Sequence, residues 1–536
     1  MKNRLYYGDN LDVLRQQIAD ESVDLIYLDP PFKSEQNYNV LFEEQNGSRS
    51  AAQIKAFEDT WRWDEAAATV YEEVVESGGS ASRAMQAFRT LVGGSNMLAY
   101  LSMMAPRLLQ LRRVLKATGS IYLHCDPTAS HYLKVLMDAV FDPRNFRGEI
   151  IWKCTSAHSN ARRLGKVHQT ILFYSKCDQF TWNPIYMPYE QAYIDTYYRY
   201  KDEDGRRFVS GDLVGHRGVN PEYEWRGIVR PWRYPKHRLD ELDAQGRIFW
   251  TRNKFPRYKR YLDDMPGMPA QSVWTDVLPV VSWSSERLGY PTQKPEALLE
   301  RVVQASSNED QIVLDPFCGC GTAIAVAQKL KRRWIGIDIT HLAITLIKHR
   351  LRDAFEKDIE FEVIGEPVSL PDAETLAAED PWQFQWWALG LVGARPIEQK
   401  RGSDQGIDGR LYFHDEPQGG KTKQVVFSVK SGKPGVAHVR DLRGVIEREE
   451  AAIGVLITMK EATKEMRKEA ASAGFYHSSW GAGATTKHPR VQLVTIEQLL
   501  SGKAVDMPPS RDLRTFKKAP KAKPNPGSGT KNLFLF

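Results

Sequence analysis

Residues 313–322 form the run Val313-Leu-Asp315-Pro-Phe317-Cys-Gly319-Cys-Gly321-Thr322. An apolar strand that enters a glycine turn and then a helix lets backbone amides and the helix N-terminus approach a bound ligand. Seventeen residues after Gly321, Asp338 ends the next apolar run, where a carboxylate can accept hydrogen bonds from ribose hydroxyls. The stretch therefore predicts a site for a nucleotide-like cofactor, and the alternative is a glycine turn that serves packing alone.

A second chemical segment, Asp29-Pro30-Pro31-Phe32, follows the apolar run of residues 23–28. The exocyclic amine of a nucleobase is a poor nucleophile, and it needs acceptors for both of its hydrogens. The Asp29 carboxylate and the Pro30 carbonyl, held by Pro31, would converge on such an amine, and Phe32 would stack on the base. The plainer interpretation is a strand that two prolines terminate.

Strands and helices alternate over residues 1–182 and 286–360, which predicts an α/β fold whose sheet is covered by helices on both faces. The periodicity predicts helices over 97–115, 294–306, 322–330 and 342–354, and strands over 121–124, 149–153 and 170–175. Residues 33–95 have no clear pattern and are interpreted as an inserted loop or helical region.

Composition excludes several classes of protein. The 536 residues are 42% hydrophobic, with a mean hydropathy of -0.47 and no apolar run near 18 residues, so no membrane-spanning segment is expected. The N-terminus lacks the apolar core of a secretory signal, and five scattered cysteines do not form a disulfide framework. These features predict a cytoplasmic protein that has no membrane partner.

Residues 183–285 interrupt the α/β pattern and contain a basic, aromatic window. Between residues 225 and 260, eleven Lys/Arg stand against three acidic residues and alternate with aromatic ones. Cations that meet phosphates and rings that meet bases are typical of a nucleic-acid surface, although a solvated loop with its own small core would look similar. The candidate DNA-binding residues are Arg226, Arg230, Arg233, Lys236, Arg252, Lys254 and Arg257.

Taken together, the two chemical segments resemble the DNA amino-methyltransferases, which carry an Asp-Pro-Pro-Phe/Tyr motif and a Phe-x-Gly-x-Gly motif. Their order here resembles the β class, so the resemblance implies a circularly permuted, Rossmann-like domain that depends on S-adenosylmethionine. It covers about residues 1–185 and 285–355, including Tyr7-Gly8-Asp9-Asn10 and Tyr290-Pro-Thr-Gln-Lys294-Pro295. The implied catalytic residues are Asp29, Pro30, Pro31 and Phe32, and the implied cofactor-binding residues are Asp9, Asn10, Lys294, Asp315, Phe317, Gly319, Gly321, Thr322 and Asp338.

The resemblance implies direct methyl transfer to a base that has left double-stranded DNA. Asp29, where other members have Ser, favours adenine N6 as the target over the alternative, cytosine N4. The expected setting is restriction-modification or phage defence, with a homodimer or a defence-system subunit as partner. Two other hypotheses are a DNA-binding or nuclease factor whose methyltransferase half acts as a sensor, and an enzyme that acts on RNA.

Residues 381–506 form a second α/β unit that resembles an Mrr-type restriction endonuclease domain of the PD-(D/E)xK class. On that resemblance Asp408 is the metal-binding acid, with Mg²⁺ as its ion, and Lys430 is the catalytic lysine. Ser428 stands where that class has Glu or Gln, and Gln385 stands where an acid is common. DNA cleavage and a degenerate nuclease fold that only binds therefore both stay open.

The remaining segments are predicted to be connections. Residues 365–380, which contain two prolines and several acidic residues, are interpreted as a linker. Residues 507–536 are interpreted as a basic disordered tail because they are rich in proline, glycine and lysine.

Overall fold

The computed structural model of the chain describes residues 2–31, 63–156, 164–281, 283–290, 292–355, 359–397, 406–414, 422–478, 486–508 and 519–522. Phe32, predicted to stack on a base, lies outside these ranges. Within them, no helix is both long enough and apolar enough to cross a membrane. The five cysteines are all described, and all are free.

Among the described residues the strands, in chain order, are β1 (Asn3–Tyr7), β2 (Val23–Leu28), β3 (Leu115–Cys125), β4 (Phe146–Lys153), β5 (His168–Ser175), β6 (Tyr186–Met187), β7 (Tyr200–Lys201), β8 (Arg207–Gly211), β9 (Glu222–Trp225), β10 (Ile228–Pro231), β11 (Ile248–Trp250), β12 (Pro256–Tyr261), β13 (Met268–Pro269), β14 (Val273–Trp274), β15 (Ile312–Asp315), β16 (Arg333–Asp338), β17 (Phe361–Ile364), β18 (Arg395–Pro396), β19 (Gly409–Phe413), β20 (Lys423–Lys430), β21 (Ile453–Thr458), β22 (Phe475–Ser478), β23 (Thr486–Pro489) and β24 (Val491–Thr495).

The described helices are α1 (Asn10–Gln17), α2 (Glu65–Glu76), α3 (Gly79–Val92), α4 (Asn96–Val114), α5 (Ser130–Phe141), α6 (Gln191–Tyr197), α7 (Lys236–Ala244), α8 (Glu296–Ser306), α9 (Thr322–Lys329), α10 (His341–Phe355), α11 (Leu370–Glu379), α12 (Pro381–Leu391), α13 (Val436–Arg448), α14 (Lys464–Ala471) and α15 (Ile496–Leu500).

The first sheet has nine described strands in the order β14-β4-β5-β3-β2-β15-β16-β1-β17. From β3 to β17 every neighbouring pair is parallel, and β5 pairs antiparallel with both β3 and β4. The N-terminal strand β1 therefore lies between two strands from far along the chain. The α/β prediction is confirmed, and this order accounts for the permuted arrangement of the motifs.

Alternate side chains of the central strands enter two different cores. Leu25 and Tyr27 of β2 pack with α8, α9 and α10, whereas Ile26 and Leu28 pack on the other face with α1, α4 and α5. Because both faces are buried, the central strands are mostly apolar, as expected for a parallel sheet between helical layers. This rigid sheet positions the residues that follow its strand ends.

Two predicted boundaries differ from the structure, and the segment predicted to be a loop or a helical region contains helices. Strand β3 starts at Leu115, directly after α4, and not at the predicted residue 121. Gly119 therefore lies within a strand and not between a helix and a strand. The predicted linker contains α11, which begins with a capping box formed by Ser369 and Asp372. Residues 65–92, within the region interpreted as a loop or helical insert, form two helices, α2 and α3.

Pro184–Gln271 form a separate compact unit, shorter than the predicted insert of residues 183–285. The difference at its C-terminal end arises because Val273 and Trp274 pair with β4 of the nine-stranded sheet. The unit contains the small sheet β11-β12-β8-β7 and the pairs β9–β10 and β6–β13. Its own core is built on two buried tryptophans, Trp225 and Trp232.

Near the C-terminus, a five-stranded sheet has the order β18-β19-β20-β21-β24. Its two faces carry separate buried clusters, and Trp386 and Trp387 of α12 are buried. Helix α12 contacts α10 of the first sheet's layer, where the Gln383 Oε1 accepts a 3.2 Å hydrogen bond from the His341 amide. The C-terminal sheet is thus packed on the helix that follows β16.

Part of the predicted tail has a fixed contact that the disordered interpretation did not include. Ala519 is buried against Leu288, Cys320 and Leu346. Its amide donates a 3.3 Å hydrogen bond to Asp353. Only residues 519–522 of this stretch beyond residue 508 are described.

Candidate active site

One pocket lies at the carboxyl edge of the first sheet, where the ends of β1, β2, β15 and β16 are neighbours. The strand order brings residues 29 and 315 together, although 286 positions separate them in the chain. The predicted site residues that line the pocket are Asp9, Asn10, Asp29, Pro30, Pro31, Lys294, Asp315, Phe317, Gly319, Thr322 and Asp338. Of the described site residues predicted for this domain, Gly321 alone does not line it.

Asp29 comes directly after the buried strand β2 and forms an ion pair with the ammonium of Lys294. Their side chains are 17% and 9% exposed, so little water screens the pair. Burial raises the pKa of Asp29, and the Lys294 ammonium opposes that rise. Lys294 therefore helps Asp29 to remain a carboxylate, which is the form that accepts hydrogen bonds. The sequence assigned Lys294 to the cofactor and gave no sign of this pairing.

Lys294 is held by its backbone as well as by its charge. Its carbonyl accepts a 3.2 Å hydrogen bond from the Thr322 hydroxyl, and Thr322 accepts a 3.0 Å bond from the buried Arg350. Arg350 also pairs at 2.9 Å with Glu296, at the start of α8. These contacts fix Lys294 to the glycine turn. The ion-pair partner of Asp29 is therefore joined directly to the residues predicted to bind the cofactor.

The glycine turn and Asp338 form the opposite wall of the pocket. The Gly319 amide donates a 2.9 Å hydrogen bond to Asp338, which also accepts from the amide and hydroxyl of Thr340, each at 2.9 Å. Gly319 has φ +49°, and a Cβ there would lie 3.1 Å from the Tyr290 ring, so glycine suits the position. Burial raises the pKa of Asp338 to about 6.

This wall fits the adenosine part of S-adenosylmethionine. Asp338 is ionised above its raised pKa, and its remaining lone pairs can accept from ribose hydroxyls. Asp315 lies on the neighbouring strand, where burial raises its pKa well above the usual value, and its side chain accepts a 3.1 Å bond from the Phe317 amide. Gly321 instead caps α9 at φ +73°, and a Cβ there would lie 2.8 Å from Ile347, so its role is close packing.

Arg107 is a pocket residue that the sequence analysis missed. Its guanidinium binds both carboxylate oxygens of Asp9 at 2.7 and 2.9 Å and the Asn10 side chain at 2.6 Å. Asn10 in turn donates a 2.7 Å bond to the Pro316 carbonyl. The arginine thus joins the start of α1 to the glycine turn. Arg107 lies in the mostly buried helix α4 and belongs to no motif. Its charge in a mostly apolar helix is the one sequence feature that could have predicted a role in the site.

A buried chain of hydrogen bonds leads away from the pocket wall. The Tyr27 hydroxyl lies 2.7 Å from His124 Nδ1, and His124 Nε2 lies 2.7 Å from Gln169 Oε1. Since an amide oxygen only accepts, Nε2 carries the proton and Nδ1 accepts from Tyr27. Burial lowers the pKa of His124 well below its usual value, which agrees with this neutral ring.

The candidate nuclease residues meet at the end of β20. Asp408 is buried, and its Oδ2 accepts hydrogen bonds from the Val429 amide at 2.6 Å and from the Ser428 hydroxyl at 3.3 Å. Lys430 Nζ lies 3.8 Å from the same oxygen. Nowhere in the described ranges do three or more His, Cys, Asp or Glu side chains cluster as metal ligands would. Glu398 and Asp404, two acids of the same segment that could supply further carboxylates, lie outside those ranges.

A Mg²⁺ ion at Asp408 is therefore poorly supported. Hydrogen bonds already engage the one acid that is in place, and Ser428 adds a neutral oxygen where the nuclease class has Glu or Gln. Mg²⁺ in proteins binds one or two carboxylates in near-octahedral geometry. The single carboxylate that the described residues supply already has its Oδ2 facing the Val429 amide, the Ser428 hydroxyl and the Lys430 ammonium, which does not fit the predicted ion.

Most of the candidate DNA-binding residues lie on the surface of the Pro184–Gln271 unit. Two of them have acidic partners: Arg226 pairs with Asp243 at 2.8 Å, and Arg257 lies 3.7 Å from Asp212. The others have no acidic partner in the described part of the chain and are exposed: Arg230, Arg233, Lys236, Arg252 and Lys254. Their contacts with DNA stay a prediction.

Known proteins resemble the chain in two separate stretches. Residues 23–349 match the family described as DNA methylase. The type II methyltransferase M.EcaI of Enterobacter cloacae is 34% identical over 259 residues, 47% of this chain and 57% of that protein. The Mod subunit of the type III restriction-modification enzyme StyLTI of Salmonella typhimurium is 27% identical over 344 residues, 60% of this chain and 49% of the subunit. The chain thus spans about half the length of these curated relatives.

Among solved structures, the PvuII DNA methyltransferase, described as cytosine-N4-specific, is 15% identical with a TM-score of 0.32. That alignment covers 65% of this chain and 86% of the other. The complex of M1.HpyAVI with S-adenosylmethionine is 14% identical with a TM-score of 0.28, over 65% and 99% of the two chains. The strand order and the family match, rather than these likenesses, support the assignment of the fold.

Residues 383–501 match the family named NACHT-associated inactive Restriction Endonuclease 1. The second domain is therefore restriction endonuclease-like, and the match to a family named inactive, together with Ser428 beside Asp408, argues against the DNA cleavage that the sequence left open.

The first match covers more than half of the chain and includes both chemical segments. The chain belongs to the DNA methylase family, whose methyl donor is S-adenosylmethionine.

Proposed function

We propose that the protein transfers a methyl group from S-adenosylmethionine to adenine N6 in double-stranded DNA. The observation that carries the proposal is the single pocket that joins Asp29 and Pro30 to the glycine turn and Asp338. One wall offers acceptors for an amine, and the other offers acceptors for a ribose. Asp29 in place of Ser supports adenine, and cytosine N4 is the alternative that the test below separates.

The residues of the pocket have distinct tasks in this reaction. Bound S-adenosylmethionine supplies an electrophilic methyl group on its sulfonium. Asp29 and the Pro30 carbonyl accept the two hydrogens of the target amine, which localises the nitrogen lone pair toward the methyl group. Lys294 helps to keep Asp29 ionised, and the Asp29 carboxylate is positioned to take the proton that the nitrogen loses after transfer. Asp338 and Gly319 orient the adenosine part.

Restriction-modification is the biological setting that we propose. M.EcaI is named a type II methyltransferase, and the StyLTI relative is named a Mod subunit. The names of these relatives support a role in modification, with a separate restriction subunit or a second copy of the chain as partner. Because the chain spans about half of each relative's length, both the activity and the partners stay proposals.

Identification of the methylated nucleoside tests the proposed function. The protein is incubated with unmethylated duplex DNA and methyl-labelled S-adenosylmethionine, and the DNA is digested to nucleosides and separated. We expect label in N6-methyl-2′-deoxyadenosine only. Label in N4-methylcytosine would change the target base, label only on an RNA control would change the substrate, and no label on any nucleic acid would favour the sensor hypothesis.

For the C-terminal domain we propose a degenerate member of the PD-(D/E)xK class that binds DNA or a partner and does not cut. With Mg²⁺ and unmethylated plasmid, we expect intact DNA both from the wild-type protein and from Lys430→Ala, because the described residues place no second acidic ligand beside Asp408. Gel electrophoresis of the plasmid checks this. Cutting by the wild type that disappears in Lys430→Ala would contradict the proposal and restore the nuclease.

A further inference from the structure

A tight hairpin connects β11 to β12 in the Pro184–Gln271 unit. Trp250 pairs with Pro256 across the two strands, and the turn between them is closed by three hydrogen bonds. The Thr251 amide donates to the Phe255 carbonyl at 2.9 Å, the Lys254 amide to the Thr251 carbonyl at 2.8 Å, and the Phe255 amide to the Thr251 hydroxyl at 3.1 Å. Residues 252–254, called the hairpin tip below, are therefore held in one backbone conformation.

The base of the hairpin is anchored on the core of its unit. The Trp250 ring lies parallel to Trp225, at 6.1 Å and 6°, and the Phe255 ring lies against Trp232, at 6.4 Å and 21°. Trp225 and Trp232 are 1% and 0% exposed, so both contacts are made with fixed partners. A projection that is rigid before binding loses little conformational entropy when it binds.

The hairpin tip consists of Arg252, Asn253 and Lys254, and all three are exposed. In contrast to Arg226 and Arg247, which pair with acids at 2.8 and 2.5 Å, no side chain of the tip is engaged in an ion pair or hydrogen bond with the described residues. Its donors are therefore available to another molecule.

The chemistry of the hairpin tip matches the edges of base pairs. A two-stranded β-ribbon fits the major groove of B-form DNA. Arginine can donate two hydrogen bonds to guanine, and asparagine can both donate to and accept from adenine. Trp250 is 44% exposed beside the tip and leaves an apolar surface open to a bound molecule. Asn253 adds a side chain that can both donate and accept, and base edges offer partners for both whereas phosphate oxygens only accept, so its place between two cations favours base recognition.

We propose that the hairpin tip enters the major groove of the target duplex and reads base edges, so that Arg252 and Asn253 determine the recognition sequence. This inference rests on the proposed function, because it requires duplex DNA as the substrate. The exposed Arg230, Arg233 and Lys236 contact phosphates and position the unit. The Asp29 pocket then selects the target base, and the hairpin tip selects the neighbouring bases.

Discrimination between duplexes tests the proposal. The wild-type recognition sequence is determined by sequencing methylated plasmid DNA, and kcat/KM is then measured on duplexes that each change one base pair of it. For Asn253→Ala and Arg252→Ala we expect kcat/KM on the original duplex to fall about 10- to 100-fold. Each variant should also stop discriminating at one position. The KM for S-adenosylmethionine should not change.

Arg199→Ala is the matched control, since Arg199 is an exposed arginine of the same unit outside the hairpin. It should leave the discrimination pattern unchanged. The proposal is overturned if both tip variants keep the wild-type pattern, or if they weaken all duplexes equally with a reduced salt dependence, which indicates phosphate contacts alone. A wild-type protein that methylates no duplex would instead overturn the proposed function, so the two failures are distinguishable.

Discussion

Replacing Asp29 with Asn is expected to reduce methyl transfer by about a thousandfold or more, within the range that a single acid-base group contributes. The amide keeps the shape of the side chain, so the fold should not change. Its NH₂ group, however, presents donors to an amine that needs acceptors, and its oxygen carries no charge to take up the released proton. Initial rates with labelled S-adenosylmethionine measure the loss.

Two controls distinguish this effect from loss of the cofactor or of the fold. Calorimetric titration of Asp29→Asn with S-adenosylmethionine should give nearly the wild-type affinity, because the adenosine wall of the pocket is built from β15 and β16. Asp12→Asn, which removes an exposed acid from α1, should retain full activity. Undiminished turnover by the Asp29→Asn protein would contradict the catalytic role assigned to Asp29.

Replacing Lys294 with Met should shift the pH dependence of the methyl-transfer rate to higher pH. Burial raises the pKa of Asp29 and Lys294 opposes that rise, so removal of the ammonium raises the pKa further. The carboxylate is the active form, hence activity is lost as the pH falls through the Asp29 pKa. In Lys294→Met that loss should occur at higher pH, and the rate at pH 7 should fall on the order of 10- to 100-fold.

The complete pH–rate profile checks this explanation, because an alkaline pH should restore much of the rate. Lys348→Met is the matched control: it removes a lysine that pairs with Glu366 away from the pocket, so its profile should match the wild type. If Lys294 served the cofactor only, its replacement would raise the KM for S-adenosylmethionine without moving the profile. That result would contradict the role assigned to the ion pair.

Short-range sequence patterns predicted the site residues that follow the ends of strands. Asp29 and Asp338 both follow apolar runs, and parallel strands place such ends at one edge of a sheet, so the meeting of the two motifs followed from the α/β prediction. Arg107 and the Lys294–Asp29 pair could not be derived in this way. Their partners lie 98 and 265 residues away, and no local signal specifies which distant charges will meet.

The wrong boundaries have local causes as well. Helix α11 lies in a segment where Pro371 and several acids suggested a linker, yet proline is accommodated in the first turn of a helix. The predicted insert of residues 183–285 is longer than the Pro184–Gln271 unit because β14 has only two residues, too few for an alternation to be visible. In each case tertiary packing decided what composition left open.

The place of β1 in the sheet also determines when the protein can fold. Arg4 pairs with Ile335 on one side and with Glu362 on the other, so the first strand waits for partners more than 300 residues downstream. At ordinary translation speeds, that delay is about 20 to 70 s on the ribosome. Such distant pairing slows closure of the sheet. The pocket at its edge is therefore complete only after synthesis has passed Thr340, the last residue that lines it.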